Sequence, residues 1–265
     1  MDVYKFIDGT APLLVSVPHA GTAVPREIAP RLSAAAAALP DTDWHVDRLY
    51  DFLPALGASV LVAGQSRYAV DLNRPPDDRP LYPGASNTGL CPTTTFDEAP
   101  VYRDGAAPDQ AEIAARRARY WRPYHVRLGA ELAAIRERHG VALLWDAHSI
   151  RSRVPRFFDG QLPDLNLGTG GGTSADAGLL ARLEQVAART GPDYSCVANG
   201  RFKGGYITRA YGDPANRVHA VQLELGQTTY MDEASPYAFR EDLAAGIRPV
   251  LRALLEAALD WAKAR

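Results

Sequence analysis

Along the whole chain, short runs of apolar residues alternate with segments whose apolar residues are spaced as in an α-helix. Six short segments bounded by Gly, Pro or polar residues predict strands, five because they are largely apolar and the last because apolar and polar residues alternate: residues 12–18, 58–63, 68–72, 141–145, 194–198 and 218–225. Apolar positions spaced by three and four, or in one case a run of alanines, predict helices: over residues 31–39, 41–56, 108–139, 174–186 and 235–263. This alternation predicts one α/β domain over residues 1–265, with helices on both faces of a largely parallel sheet.

Two long segments fall outside this pattern. Residues 75–108 contain seven prolines, and irregular loops of that length in a compact domain are usually functional, so we predict a flap over a binding site. Residues 150–173 include Gly-Thr-Gly-Gly-Gly at 168–172. A phosphate-binding loop would need a predicted strand directly before it and a Gly-Lys-Ser/Thr ending. The sequence offers neither, which favours a flexible loop leading into a helix.

The composition excludes several classes of protein. The formal net charge of -2 offers no basic surface for nucleic acid, and no apolar run is long enough to predict a membrane-spanning helix. The N-terminus lacks the pattern of a signal peptide, and two cysteines in 265 residues are typical of a reducing compartment. We expect a cytoplasmic protein that acts on a small molecule, as a monomer or small homo-oligomer, without nucleic-acid or membrane partners.

Chemically active side chains follow the predicted strands at their carboxyl ends: His19, Asn73, Arg74, Asp146, His148 and Glu224. Ligands of α/β sheets bind at this edge, so we expect these side chains to meet there. The alternative for each histidine alone is a satisfied surface residue, and for Asp146 and His148 a pair of strand caps.

The residue types at these strand ends match a metal-dependent hydrolase. Two imidazoles and one carboxylate are the ligands of a catalytic zinc that keeps a position for water. A further carboxylate beside that water can act as general base. The guanidinium of Arg74 next to Asn73 can bind a substrate carboxylate with two parallel hydrogen bonds. No G-x-S-x-G motif predicts a serine nucleophile, so a metal amidohydrolase is the best hypothesis from the residues.

Three aspartates compete to supply the carboxylate ligand. Asp43, Asp47 and Asp51 are spaced by four along the predicted helix 41–56, so Asp43 and Asp47 can point at one place. An acid in the first turn commonly serves the helix dipole, which is the alternative for Asp43. Asp47 is less easily explained in that way, and Asp51 is expected to be solvated.

Eight stretches of the chain, in order, are SVPHAGTAVP, DTDWHVDRLYDF, YAVDLNRPPDD, LYPG, WDAHSIRS, NLGT, NGRFKGGYITRAYG and HAVQLELGQTTYM. Together they resemble the N-formylglutamate amidohydrolase (N-formylglutamate deformylase) family over almost the whole length. The resemblance implies a zinc-dependent hydrolase that releases formate from N-formyl-L-glutamate, a last step of histidine breakdown. It also implies the three-layer αβα, phosphorylase/hydrolase-like fold of the zinc exopeptidases, with a mixed, largely parallel sheet.

A more distant similarity to zinc carboxypeptidases and cell-wall amidases implies roles for single residues. It implies His19 and His148 as zinc ligands and Glu224 as the general base that activates the zinc-bound water. The H-x-x-E pattern of the carboxypeptidases is absent, because Thr stands three residues after the first histidine. Asp47 is therefore expected as the acidic ligand, as in the amidases, with Asp43 in reserve.

The same similarity implies how a substrate with two carboxylates would be held. Asn73 and Arg74 are implied as the anchor for one carboxylate. Arg209 is our candidate for the second, with Lys203 or Arg151 behind it; the alternative is a plain hairpin with solvated basic residues. Hydrolysis of another N-acyl amino acid and a non-catalytic carboxylate-binding protein are the alternative functions.

Overall fold

The structure, a computed structural model, describes residues 2–81, 84 and 86–265. In that part of the chain seven strands form one sheet: β1 Tyr4–Ile7, β2 Leu13–Val17, β3 Ser59–Ala63, β4 Ala142–Ile150, β5 Leu165–Gly168, β6 Cys196–Ala198 and β7 Val218–Gly226. They lie in the order β1-β3-β2-β4-β7-β5-β6. The β1–β3 and β5–β7 pairs are antiparallel and the other pairs are parallel. The predicted mixed, largely parallel sheet is confirmed.

Six α-helices occur within the described ranges: α1 Val46–Leu49, α2 Gln110–Arg116, α3 Arg122–His139, α4 Ala177–Thr190, α5 Tyr206–Tyr211 and α6 Glu241–Lys263. α1, α4 and α6 pack on one face of the sheet, and α3 and α5 pack on the other. Leu143 and Trp145 of β4 face the first layer, whereas Ala142 and Leu144 face the second. Because both faces are covered, the central strands β2, β4 and β7 are buried at every position and mostly apolar. The three-layer αβα arrangement is confirmed.

The predicted helix over residues 41–56 is much shorter than expected. His45 has a left-handed backbone (φ 61°), and α1 begins only after it. Residues 31–39 and 68–72, predicted as a helix and a strand, form mainly turns. Apolar side chains from both segments pack together in one small buried cluster, so burial, rather than helix or strand geometry, explains their pattern.

The predicted helix over residues 108–139 is interrupted once. A π-helical turn, Arg117–Trp121, separates α2 from α3 just ahead of Pro123, where a missing N–H disturbs the helical hydrogen bonds. The helix ends at Gly140, whose positive φ of 73° favours glycine. Of the helices in the described residues, none is long and apolar enough to cross a membrane.

Several elements differ in their bounds from the prediction. β5 lies within the segment predicted to be irregular, and α4 is capped by Asp176, whose side chain accepts the Gly178 N–H. α6 begins at Glu241 instead of near residue 235, because the chain first turns back to pair Met231 with Phe239.

β5 leads directly into the glycine-rich residues 168–172, as a phosphate-binding loop would require. However, the N–H groups of Thr169 and Gly171 both donate to Oδ1 of Asn199, at 2.9 and 3.1 Å. These donors are satisfied by the protein itself, which supports the simple loop over the phosphate cradle.

Candidate active site

The carboxyl ends of the three central strands meet at one edge of the sheet. β2 and β7 both run parallel to β4, which lies between them. His19 follows β2, and His148 of β4 is paired directly with Glu224 of β7. The Asp43 N–H donates to the His19 carbonyl (3.1 Å) and so ties the segment before α1 to this edge. These four residues are buried and converge where the strand order predicts a ligand site.

The side chains of His19, Asp43 and His148 form a compact group. Oδ2 of Asp43 lies 3.0 Å from Nδ1 of His148 and 3.7 Å from Nδ1 of His19. One ligand atom from each residue lies within 4.8 Å of the others. Among the described residues this is the single group of three or more histidine, cysteine or acidic side chains with the spacing of a metal site.

Each imidazole is held by a second buried carboxylate on its other ring nitrogen. Nε2 of His19 lies 2.7 Å from Oδ1 of Asp71, and Nε2 of His148 lies 3.1 Å from Oδ2 of Asp146. In a metal-bound form the ring protons would lie on Nε2, and both Nδ1 lone pairs would be available on the side of Asp43. Carboxylates fix the tautomer and orientation of metal-binding histidines in this way. The Asp-Ala-His triplet thus provides both a potential ligand and the residue that orients it.

The buried acids around this group require compensating positive charge. Asp43, Asp71 and Asp146 are almost completely buried, and Arg67 lies 2.7 Å from Asp71 and 3.7 Å from Asp43. Although burial disfavours a charged ring, Asp146 and Asp43 raise the pKa of His148 well above its ordinary value. A bound cation would supply the positive charge that the additional proton on His148 supplies without it. The donor set and its charge therefore fit a divalent metal ion.

The acidic member of the group is Asp43, which corrects the preference for Asp47. Asp47 is exposed on α1. The left-handed backbone at His45 precedes α1, so the two aspartates do not share a helix face and their spacing of four has no helical meaning. Asp43 is further fixed because its Oδ2 accepts the Ser149 N–H at 3.1 Å.

Glu224 stands beside the group in the same cavity. Its Oε2 accepts a hydrogen bond from Nε2 of Gln222 (3.1 Å), whose Oε1 accepts the Gly205 N–H (2.7 Å). Burial raises the pKa of Glu224 to about 8, while His148 acts in the opposite direction. Because a nearby cation also lowers a carboxyl pKa, metal binding would favour the carboxylate, which is the form a general base needs.

A cavity opens over these residues. The predicted flap contributes Leu81, Ser86, Asn87 and Phe96 to its lining, so the described part of this segment borders the site. The LYPG stretch of the family resemblance begins in this wall, but its Tyr and Pro lie outside the described residues.

Asn73 and Arg74, the predicted anchor for the first carboxylate, both line the cavity. Arg74 is fastened to Thr88, since its Nε donates to the Thr88 carbonyl and its Nη2 to the Thr88 hydroxyl, both at 2.8 Å. Asn73 accepts the Ile207 N–H (2.8 Å), and its Nδ2 donates to Asp146 (3.3 Å). Asn73 therefore also supports the acid behind His148, and its contact with a substrate stays a prediction.

The predicted second cationic anchor lies elsewhere. Arg209 and Lys203 are exposed, and Arg151 pairs with Asp97 at 2.9 Å. Within the described residues, none of the three lines the cavity, whereas Arg201 of the same glycine-rich run does. The composition of the run marked it as functional, but only the folded backbone shows which of its cations faces inward.

The residues that support the site were missed in the sequence. Asp71 stands two residues before Asn73, and Gln222 stands two residues before Glu224. Because alternate residues of a strand share a face, Gln222 could have been found from its place in β7. Arg67 had only a weak signal, a single charge in an otherwise uncharged stretch.

The fold places a buried carboxylate–imidazole group at the carboxyl edge of an α/β sheet, an arrangement that fits a hydrolase. Residues 11–231 match the family model described as N-formylglutamate amidohydrolase. The chain belongs to that family, so the resemblance noted in its sequence is confirmed.

Its relatives match along nearly their full length. The chain is 56% identical to the N-formylglutamate deformylase of Pseudomonas aeruginosa over 264 residues, which cover 100% of this chain and 98% of the relative. It is 54% identical to the N-formylglutamate deformylase of Pseudomonas putida, covering 99% and 98%. The crystal structure of N-formylglutamate amidohydrolase from Ralstonia eutropha JMP134 is similar with a TM-score of 0.82 at 28% identity, covering 100% of this chain and 98% of that one.

Proposed function

We propose that this protein hydrolyses N-formyl-L-glutamate to formate and L-glutamate with the help of a bound zinc ion. The observation that carries the proposal is the buried group of His19, Asp43 and His148 beside Glu224 in one cavity. The two Pseudomonas deformylases, at 56% and 54% identity, support the choice of substrate. This reaction would be a last step of histidine breakdown, as the family resemblance implies.

Zinc would be held by Nδ1 of His19, Nδ1 of His148 and the carboxylate of Asp43. Two imidazoles and one carboxylate are a common ligand set of catalytic zinc, and Asp71 and Asp146 keep both rings in the tautomer that ligation needs. When bound, the ion would supply Lewis acidity, which lowers the pKa of a water molecule and polarises the formyl oxygen.

Glu224 would carry the proton between water and the leaving amine. Its carboxylate takes a proton from the water whose oxygen adds to the formyl carbon, and it gives that proton to the amine nitrogen as the C–N bond breaks. Gln222 holds one carboxylate oxygen in place during both transfers. A positioned general base contributes about 10²–10⁴-fold to a rate.

Arg74 would bind a carboxylate of the substrate close to the reacting centre. Its two hydrogen bonds to Thr88 fix the guanidinium at the cavity wall, and an arginine in a fixed position orients a carboxylate well because its donors form a rigid fork. The flap over the cavity would limit the entry of bulk water to the bound substrate.

The test measures formate released from N-formyl-L-glutamate by the protein as purified, after chelation, and after zinc is restored. We expect activity that disappears with the metal and returns with zinc. Activity in protein shown to be metal-free by elemental analysis would refute the zinc requirement. No formate from folded, zinc-loaded protein would refute the substrate.

A further inference from the structure

Three arginines line the cavity beside the candidate metal group: Arg67, Arg74 and Arg201. Arg67 is committed to the buried acids, since its Nη2 lies 2.7 Å from Asp71. Arg74 follows Asn73, whose Nδ2 lies 2.9 Å from Nε2 of His148. The backbone of Arg74 is thus adjacent to a residue that contacts His148, and Arg74 lines the same cavity.

Arg201 is set in an aromatic wall of the same cavity. Its Nε donates to the Phe157 carbonyl (2.5 Å), and its guanidinium lies 5.8 and 5.4 Å from the ring centres of Phe157 and Phe202. Both rings line the cavity with it. Arg201 and both rings are half-buried, and the attraction between opposite charges strengthens where a bound substrate displaces water. The planar guanidinium offers a rigid fork of donors that matches a carboxylate.

The loop that carries Arg201 is fixed to the floor of the site at both ends. At one end, the Asn199 N–H donates to the Leu167 carbonyl of β5 (2.7 Å). At the other, a Cβ on Gly205 would lie 2.3 Å from Nδ2 of Asn73, so the backbone packs directly on that amide. The Gly205 N–H also donates to Gln222, the residue that holds Glu224. These contacts hold the loop at a set position relative to the proposed base.

We propose that Arg201 binds the side-chain carboxylate of the substrate and thereby selects acidic over neutral N-formyl amino acids. In an N-formyl diacid the α-carboxylate is attached next to the formylated nitrogen, which suits Arg74 beside the reacting centre. The second carboxylate lies beyond the side-chain methylene groups, which suits an arginine in the cavity wall among apolar rings. This inference rests on the proposed function and names the residue that sets its substrate class.

The test compares kcat/KM for N-formyl-L-glutamate and for its isostere N-formyl-L-glutamine, which keeps the α-carboxylate and has an uncharged side chain. Arg201→Gln should lower kcat/KM for the glutamate substrate at least about 30-fold, the lower end of the loss when one partner of a buried charge pair is truncated. The value for the glutamine substrate should stay within a few-fold, so the preference collapses. Arg201→Lys keeps the charge without the fork and should recover part of the preference.

Arg182→Gln is the matched control, because it removes the same charge from the exposed surface of α4, and its preference should equal that of the wild type. Equal losses on both substrates in a folded Arg201→Gln protein would overturn the assignment. The assignment would also be overturned if Arg209→Gln lost the preference for the glutamate substrate while Arg201→Gln kept it. If the zinc-loaded wild type releases no formate, the proposed function fails separately. In that case calorimetry measures the affinities for L-glutamate and L-glutamine. If Arg201→Gln prefers L-glutamate as strongly as the wild type does, the role of Arg201 is refuted.

Discussion

Replacing Asp43 by Asn removes the charge of one proposed metal ligand and keeps its shape. The amide oxygen can still accept the Ser149 N–H, which is 3.1 Å from the carboxylate, so the segment before α1 should keep its place. Asp47→Asn is the matched control, because it makes the same chemical change four residues along, on the exposed surface of α1. The pair separates the ligand that the fold supports from the one that sequence spacing favoured.

The size of the effect follows from the place of Asp43 between the two imidazoles, 3.0 Å from one and 3.7 Å from the other. Loss of an outer partner typically weakens metal binding about 10–100-fold, so loss of a ligand should exceed about 100-fold. At zinc concentrations of 100 times the wild-type Kd, binding stabilises the wild type by about 2.7 kcal/mol. A 100-fold weaker site would gain only about 0.4 kcal/mol under the same conditions.

Two measurements check this prediction without relying on activity. Competition with a chelator of known affinity gives the zinc Kd, and thermal unfolding with and without zinc gives the stabilisation. For a chain of this size, the wild-type gain corresponds to a rise of Tm by about 5–10 °C. We expect Asp43→Asn to lose most of that rise and Asp47→Asn to keep it. Wild-type zinc affinity in folded Asp43→Asn would refute the assignment of the ligand.

Three further predictions concern the base, the anchor and the pH dependence of stability. Glu224→Gln should retain zinc by elemental analysis yet lose about 10²–10⁴ in kcat; turnover near the wild-type rate would remove Glu224 from the mechanism. Arg74→Ala should chiefly raise KM for N-formyl-L-glutamate in steady-state assays, and an unchanged KM would contradict its role as anchor. Burial lowers the pKa of His125 to about 4, whereas the unfolded chain takes up that proton near pH 6.5. Since the unfolded state then binds more protons, the free energy of unfolding should fall as the pH drops from about 6.5 to 4, by up to about 3 kcal/mol for this group. Urea unfolding at several pH values should therefore show a shallower pH dependence in His125→Gln than in the wild type, and identical slopes would show that His125 does not contribute.

The central architecture could be predicted because its signals are local. Strands β2, β4 and β7 are covered on both faces; β2 and the first half of β4 appear in the sequence as apolar runs, and β7 as an alternation of apolar and polar residues. The carboxyl ends of adjacent parallel strands meet at one edge, which is why His19, His148 and Glu224 could be expected together.

The predictions that were wrong assumed helix or strand geometry for segments whose backbone is irregular. A helical spacing of four allows both Asp43 and Asp47, and the helix dipole offers another explanation for Asp43, but one left-handed residue at position 45 turns the chain and leaves Asp43 facing the histidines. Turns with buried apolar side chains at 31–39 and 68–72 resembled a helix and a strand for the same reason. Sequence spacing shows which face a residue occupies only within a regular helix or strand, where the backbone dihedrals repeat from residue to residue.

The sequence by itself determined the family, the α/β class, the central strands, and the two histidines and the glutamate at their ends. Only the tertiary structure decided which aspartate completes the group, which acids orient the rings, and that Arg201 instead of Arg209 lines the cavity. The physical reason is that burial leaves a local, periodic trace in the chain. The direction of a charged loop side chain depends on single backbone dihedrals and on contacts with residues far away in sequence.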